Sequence, residues 1–371
     1  MKEKNREIQV LRGIAMSAVV LIHLFNLGLS NIKVGMDGYW FFQISHSLFQ
    51  FAVPCFIFIS AVILSYTNRD GRIDLKKFYM EKFKRLVVPY FMWTLFFLGV
   101  KFVFGLVPGT SISYQLNVFV KGQLSSLSNW WEWLAFGKAY AHLYFMSIVI
   151  QFAIVSPLML KMVKWIIDKF EGKSFTAAVV LALVPQVAIY WINRLYIYSH
   201  FKYTATMLIW YWCILVLGIW VGFNYEKFVS MISRFKYVIL SALAVSAAVY
   251  LWYRVAIVNG QSISTFYYQM VWYLYVIFAT TASFMLYVKI SKQGTGSKVL
   301  EWIGRYSFGI YLMHPVITLI MSRTIKTSDT YALTGIIAVA FPVIMFLCGG
   351  ISKLLESNRY TSFLVGAYHT R

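Results

Sequence analysis

Two ionisable side chains, Arg12 and His23, interrupt the first apolar segment of the chain, residues 9–30. On an α-helix their separation of 11 residues is a rotation of about 1100°, roughly 20° beyond three full turns, so both lie on one face about 16 Å apart. Ionisable groups inside a bilayer are costly and are usually functional. A fixed cation and a titratable imidazole on one face are therefore candidates for function. The alternatives are that Arg12 only anchors the cytoplasmic end of the helix and that His23 only bonds to a neighbouring helix.

A second polar group lies in the apolar segment 306–322. Ser307, Tyr311 and His314 are three, four or seven residues apart, so they line one helix face. Pro315 removes a backbone hydrogen bond and predicts a kink beside His314. His142 begins another apolar segment near its predicted outer end, and it is either a functional or an interfacial histidine.

The predicted outer side also holds the longest loop, residues 107–139, in which three tryptophans surround Glu132. Tryptophan favours the membrane interface, so the loop is expected to lie along or dip into the outer leaflet. The alternatives are an interfacial anchor and a lid or wall of an acceptor site. His46 and His200 fall at predicted outer ends of apolar segments, and we expect both to be solvated.

The densest basic cluster lies in the loop 67–85. Membrane topology and anionic lipids explain much of it. Its end, from Lys82 through Lys84 and Arg85 to Tyr90, could also hold an anionic cytoplasmic substrate. The whole cluster consists of Arg69, Arg72, Lys76, Lys77, Lys82, Lys84 and Arg85.

The composition of the chain indicates the environment in which these residues lie. Of 371 residues, 60% are hydrophobic and only 13% are charged, about half the usual charged share. Such a chain cannot cover a water-exposed surface, which excludes a soluble enzyme, a disordered chain, a coiled coil and a secreted disulfide scaffold. Stretches of about 20 apolar residues predict transmembrane helices. Ten are predicted, at about 9–30, 47–66, 86–106, 140–160, 175–193, 204–223, 236–254, 269–290, 306–322 and 331–352.

The distribution of basic residues gives the orientation. With the N-terminus inside, 25 of the 34 Lys and Arg residues fall on cytoplasmic segments, 8 fall outside, and Lys101 lies in a span. This asymmetry follows the positive-inside rule and explains the net charge of +21 better than a nucleic-acid-binding face does. We therefore predict an all-α polytopic membrane protein with both termini cytoplasmic, formed by a single domain over residues 1–371.

Several chemistries lack their sequence signals. No phosphate-binding glycine loop and no zinc-type Cys/His spacing occur, so neither a nucleotide motor nor a bound metal is predicted. Acidic residues are nearly missing from the predicted spans, which disfavours an ion-coupled transporter. The three cysteines all fall inside spans and are expected to be packing residues.

Five segments in order resemble the acyltransferase-3 family of bacterial integral-membrane acyltransferases. Leu11–Ala15 with His23 is similar to the family's Arg-x10-His signature, and the remaining segments are Val53–Ser60, Arg85–Tyr90, His142–Phe145 and Gly304–Pro315. The short chain looks most like the branch that modifies biofilm exopolysaccharides such as poly-N-acetylglucosamine. Two positions depart from the family pattern, because Gln9 stands where many members carry an acidic residue and Lys82 where many carry Arg.

The resemblance implies a multi-pass protein of a bacterial plasma membrane that moves an acyl group from cytoplasmic acyl-CoA to a hydroxyl of an extracytoplasmic glycan. Acetyl is the expected acyl group, and succinyl is the alternative. Polysaccharide synthesis or export machinery is an implied partner. The competing hypotheses are a transporter for a glycan or lipid-linked precursor and a scaffold in a polysaccharide synthase complex.

The resemblance also implies roles for the polar residues. His23 is the expected general base, and Arg12 is expected to contact the donor or to orient an interior network. Lys82, Lys84 and Arg85 are expected to hold the charged head of acyl-CoA. Candidates for binding the substrate or the oxyanion are Ser307, Tyr311, His314, His142 and Glu132.

Overall fold

The computed structural model describes residues 2–69, 73–107, 109–201, 203–290 and 294–368, and these residues form helices and connecting turns without a strand. The helices are α1 Lys2–Asn31, α2 Tyr39–Leu48, α3 Ala52–Thr67, α4 Leu75–Lys82, α5 Val88–Phe104, α6 Ile112–Phe119, α7 Leu127–Phe136, α8 Tyr144–Lys169, α9 Ser174–Ile192, α10 Trp212–Phe223, α11 Tyr225–Arg234, α12 Lys236–Val258, α13 Thr265–Ile290, α14 Gly294–Thr324 and α15 Thr330–Ser357.

Within these described ranges, eight helical segments are long and apolar enough to cross a membrane. A ninth is possible if α10 and α11 are counted together, although the chain bends by 105° between them. The predicted span 306–322 lies in α14, which is long enough at 31 residues but is less apolar because of its polar side chains. The all-α polytopic prediction is therefore confirmed, with eight or nine clearly apolar spans in place of ten.

The chain divides into two compact units. Unit 1 comprises Met1–Arg72, Leu160–Leu195 and Tyr211–Leu354. Unit 2 comprises Ile73–Met159, Tyr196–Trp210 and Leu355–Arg371.

In unit 1, α1 packs along α14 and also contacts α2, α3 and α13. Helix α10 packs between α3 and α9, and α12 packs on α13. Small residues allow the closest of these approaches. A Cβ on Gly222 would overlap Val62 and Ser65, and one on Gly218 would come within 3.0 Å of Ala61. Glycine at these two positions thus lets the backbones of α3 and α10 touch.

Side-chain hydrogen bonds to backbone carbonyls link the elements of unit 2. The hydroxyl of Tyr90 donates to the carbonyl of Trp133 over 2.7 Å, and the indole of Trp93 donates to the carbonyl of Leu364 over 2.9 Å. Residues 107–139 contain α6 and α7, so much of the predicted long loop is helical. Along α7, Trp133 is buried while Trp131 is exposed, as an interfacial helix requires.

Candidate active site

The closest approach of α1 and α14 is a crossing of two glycines. A Cβ on Gly304 would lie 2.6 Å from the carbonyl carbon of Gln9, and one on Gly13 would lie 2.9 Å from that of Leu300. Each glycine therefore contacts the backbone carbonyl of the residue four positions before the other glycine. From this crossing to the contact between His23 and His314, the residue numbers increase on both helices, so the helices run in the same direction. This agrees with their prediction as the first and ninth spans.

His23 and His314 meet further along the same two helices. Each lies ten residues beyond its crossing glycine, so both have risen by about 15 Å from the crossing. Their ring centroids are 5.0 Å apart, and the ring planes are inclined by 56°. His314 is fully buried, and His23 is half-buried. The structure thus brings together two predicted site residues that are 291 positions apart in sequence.

A hydrogen bond within α14 determines the protonation pattern of neutral His314. Its Nδ1 lies 2.9 Å from the carbonyl oxygen of Ile310. Because a carbonyl only accepts, Nδ1 carries the hydrogen, and the lone pair of the neutral ring is on Nε2. The ring is thereby held at a fixed orientation beside His23.

Ser307 and Tyr311 lie on the same buried face of α14, as predicted. Tyr311 is 6% exposed, and its ring centroid lies 6.3 Å from that of His314. Ser307 is 1% exposed, and its hydroxyl oxygen is buried without a hydrogen-bond partner among the residues described. A buried hydroxyl that lacks a partner is costly, which makes Ser307 a candidate to donate a hydrogen bond to a bound oxygen.

Arg12 precedes the crossing glycine of α1. It is half-buried, and no hydrogen bond joins its side chain to a residue whose side chain is described. The continuous helix Lys2–Asn31 confirms that Arg12 and His23 share one face, about 16 Å apart.

His46 and Arg254 lie near the candidate site, although the sequence did not single them out. His46 was expected to be solvated, and this is wrong, because it is half-buried and its Nδ1 is fully covered. Helix α2 folds back between α1 and α12, which places His46 within electrostatic range of both His23 and Arg254. The available signal was a histidine and an arginine at predicted outer ends of spans. His200, by contrast, is exposed as expected.

Two other candidates lie in unit 2. His142 is 4% exposed and lies in the 3-10 turn Ala141–Leu143 just before α8, with its ring edge-on to Phe97 at 4.7 Å and to Tyr140 at 5.6 Å. Glu132 is half-buried on α7, and its carbonyl accepts a hydrogen bond from the backbone of Lys138. His142 is thus enclosed by protein side chains.

The basic cluster separates into residues with different environments. In unit 1, Arg69 pairs with Glu226 at 3.2 Å, bonds to the carbonyl of Gly222 and stacks over Tyr66. In unit 2, Lys82 is half-buried with its ammonium 5.4 Å from the ring centre of Phe78.

Lys84 and Arg85 are exposed, on a π-helical turn over Phe83–Val87. Such turns are frequent at functional sites. Arg72 lies outside the described residues. Of the described members of this cluster, Lys84 and Arg85 are therefore well exposed next to an apolar helix, whereas Arg69 has a structural role.

The described residues contain no group of three or more His, Cys, Asp or Glu side chains that could hold a metal ion. Cys55, Cys213 and Cys348 are free and buried. The chemistry that the α1–α14 site can offer is proton exchange by two imidazoles, hydrogen bonding by a hydroxyl and a phenol, and a positive charge from Arg12.

The similarity to known proteins agrees with an enzyme site of this kind. Residues 5–352 match the acyltransferase domain family. A probable poly-beta-1,6-N-acetyl-D-glucosamine export protein of Staphylococcus aureus strain MRSA252 is 24% identical over 99% of this chain and 97% of its own length. A Staphylococcus epidermidis protein of the same description is 23% identical over 99% of this chain and 96% of its own length. No solved structure matches. The chain belongs to the acyltransferase family, as its sequence motifs indicate.

Proposed function

We propose that this chain transfers an acyl group from cytoplasmic acyl-CoA to a hydroxyl of an extracytoplasmic polysaccharide at the bacterial plasma membrane. Membership of the acyltransferase family supports the reaction class. The names of the staphylococcal relatives support poly-β-1,6-N-acetylglucosamine as the acceptor. The observation that carries the proposal is the contact between His23 and His314 on parallel helices.

The proposed reaction begins with neutral His23 as general base. It takes the proton of the sugar hydroxyl while the hydroxyl oxygen attacks the thioester carbonyl, and a tetrahedral oxyanion forms. Collapse of this intermediate breaks the carbon–sulfur bond, and the departing thiolate takes the proton from His23. The oxyanion requires hydrogen-bond donors, for which Ser307 and Tyr311 are proposed.

His314 is proposed to be a positioning residue, because its hydrogen bond to Ile310 holds its ring against that of His23. In the variant mechanism, His23 itself accepts the acyl group and passes it to the sugar. Hydrolysis of acyl-CoA without glycan, or a trapped acyl-enzyme, would support that variant, and the lack of both would favour direct transfer.

The donor is proposed to be held by its phosphates. Lys84 and Arg85 are exposed cations on the predicted cytoplasmic side, with Lys82 and Arg12 as further candidates. Acetyl is the proposed acyl group, and succinyl is the alternative. Polysaccharide synthesis or export proteins are the proposed partners.

The test is the ester content of the surface polysaccharide, measured by mass spectrometry in cells that make poly-β-1,6-N-acetylglucosamine. His23→Gln should lower the O-acyl content about 100-fold or more, because a general base contributes about 10²- to 10⁴-fold. His200→Gln is the control, since His200 is exposed. A folded His23→Gln protein with unchanged O-acylation would refute the role of His23, and acyl content that never depends on the chain would refute the transferase.

Export of the polysaccharide is a second candidate function, and the names of the relatives favour it. The two functions separate in the same cells. If the chain is a transferase, His23→Gln removes ester groups and leaves the amount of surface polysaccharide unchanged. If it is an exporter, deleting the chain removes the polysaccharide from the surface, and the amount exported does not depend on acyl-CoA.

A further inference from the structure

A second polar cluster lies next to His23 in unit 1, and the proposed chemistry does not use it. Helix α2 contacts both α1 and α12, and the turn Phe49–Phe51 contacts α1 and α13. These helix contacts bring His46 on α2 within electrostatic range of both His23 on α1 and Arg254 near the end of α12. All three side chains belong to the predicted outer half of their helices.

This cluster has hydrogen-bonding capacity that the described residues leave unused. The Nε of Arg254 and the Nδ1 of His46 are both buried without a hydrogen-bond partner in the described part of the chain. Arg254 makes a single side-chain bond there, a 3.4 Å contact from Nη1 to the hydroxyl of Tyr268. A guanidinium carries five donors and no acceptor, so the missing partners must be oxygen atoms or similar acceptors. Leaving such donors buried and unpaired is costly unless a ligand pairs them.

The surroundings of the cluster are aromatic and hydroxyl-bearing. Tyr250 stacks on Tyr275 with ring centroids 5.1 Å apart and planes 9° from parallel. The hydroxyl of Tyr250 donates to the side-chain oxygen of Gln50 over 3.1 Å, and that of Tyr275 donates to the carbonyl of Leu48. Aromatic walls with a few fixed polar groups are typical of sites that bind small polar ligands. The bonds to Gln50 and Leu48 fix these walls and leave Arg254 to bind the ligand.

The proposed reaction places one reactant here. A general base must lie within hydrogen-bonding reach of the hydroxyl that it deprotonates, so the acceptor sugar must approach His23. Polar groups beside His23 on the predicted outer side are therefore the groups that an incoming glycan meets. An N-acetylated sugar offers an amide carbonyl, which is the strong neutral acceptor that the unused donors require.

We propose that Arg254 and His46 form an acceptor subsite that binds the amide carbonyl oxygen of an N-acetylated sugar and presents its hydroxyl to His23. This inference rests on the proposed function, because it takes His23 as the base. In it, Arg254 and His46 are acceptor-binding residues and take no part in proton transfer.

The experiment uses the full chain, purified and reconstituted in phospholipid vesicles with acetyl-CoA. The acceptors are a β-1,6-linked N-acetylglucosamine pentamer and its fully de-N-acetylated form. Arg254→Gln should raise the KM for the N-acetylated pentamer about tenfold to hundredfold, the range expected for a lost hydrogen bond to a charged group. The KM for acetyl-CoA should not change, and the preference for the N-acetylated pentamer should be lost.

Two further variants sharpen the result. Arg254→Lys keeps the charge but not the forked donors, so it should restore only part of the affinity. Arg194→Gln is the matched control, because Arg194 is also predicted to be outside and its guanidinium is bonded to Ser264. It should behave as the wild type.

A binding measurement separates the two proposals. In a calorimetric titration, His23→Gln should bind the N-acetylated pentamer with the affinity of the wild type. The double variant His23→Gln, Arg254→Gln should bind it about tenfold to hundredfold more weakly. If the wild type binds the pentamer but transfers nothing, the proposed function fails while the subsite stands. If Arg254→Gln leaves the pentamer KM unchanged, or raises the KM for acetyl-CoA instead, the subsite is refuted.

Discussion

The glycine crossing of α1 and α14 predicts a specific effect of a single methyl group. In Gly304→Ala, the new Cβ would lie 2.6 Å from the carbonyl carbon of Gln9, 0.8 Å short of the 3.4 Å at which ordinary contact begins. The neighbouring atoms are backbone, so they cannot rotate away, and the helices must separate by at least this amount. Overpacking of this kind costs about 1–3 kcal/mol of stability.

The same separation should reach the histidines. They lie ten residues further along, with ring centroids 5.0 Å apart. A misplacement of about 1 Å can cost about 100-fold in rate, so we expect Gly304→Ala to lower acyl transfer about tenfold to hundredfold. Acyl transfer by reconstituted protein gives the rate, and the thermal midpoint of the same sample gives the stability. The acyl-CoA KM should change little.

The control is Gly335→Ala on α15, where a Cβ would meet nothing within 4 Å. It adds the same methyl group to a helix in open space, so it should keep the wild-type rate, and its stability should be equal to that of the wild type or up to about 1 kcal/mol higher. Gly13→Ala should lower the rate of acyl transfer as Gly304→Ala does. The fold-loss in the double variant should be smaller than the product of the two single fold-losses, because one separation of the helices relieves both overlaps. If Gly304→Ala matches Gly335→Ala in rate and thermal midpoint, the crossing does not position the histidines.

Three further outcomes follow from the structure. Replacing exposed Lys84 and Arg85 together by Gln should raise the KM for acyl-CoA severalfold and weaken its dependence on salt, as kinetics at several salt concentrations would show. Glu226→Gln should lower stability by less than about 1 kcal/mol, because its pair with Arg69 is largely exposed, and thermal unfolding measures this. The three buried cysteines should resist maleimide in native membranes and react after denaturation, which mass spectrometry would detect.

Apolar segments made much of the fold predictable. Eight predicted spans coincide with long apolar helices, because burial in lipid demands a run of about 20 apolar residues whatever the partners are. The 105° bend after α10 was not predictable in this way, since hydropathy reports the length of a span and not its direction. Helix α14 shows the opposite case. Its polar residues lower its hydropathy, yet the same residues supplied the motif that identified it.

The site was predictable only within single helices. The shared face of Arg12 and His23 follows from helical rotation, and so does the line of Ser307 and His314 on α14. The position of His46 does not, because whether a residue at a span end is solvated depends on where the next helix turns. Here α2 turns back against α1, and the expected solvated histidine is half-buried.

The meeting of α1 and α14 joins these two kinds of information. Gly13 precedes His23 by ten residues, and Gly304 precedes His314 by the same ten. Parallel helices that touch at one pair of positions rise equally, about 1.5 Å per residue, so equal spacings bring the second pair to equal height. Neither spacing alone predicts the contact between the histidines, because a glycine and a histidine ten residues apart in one helix do not indicate which helix lies beside them. Each glycine contacts the carbonyl of the residue four positions before the other glycine, so the two glycines lie at the same height on the parallel helices. The two histidines therefore also lie at the same height, where their rings meet. For this reason the added methyl group of Gly304→Ala tests the position of the histidine pair.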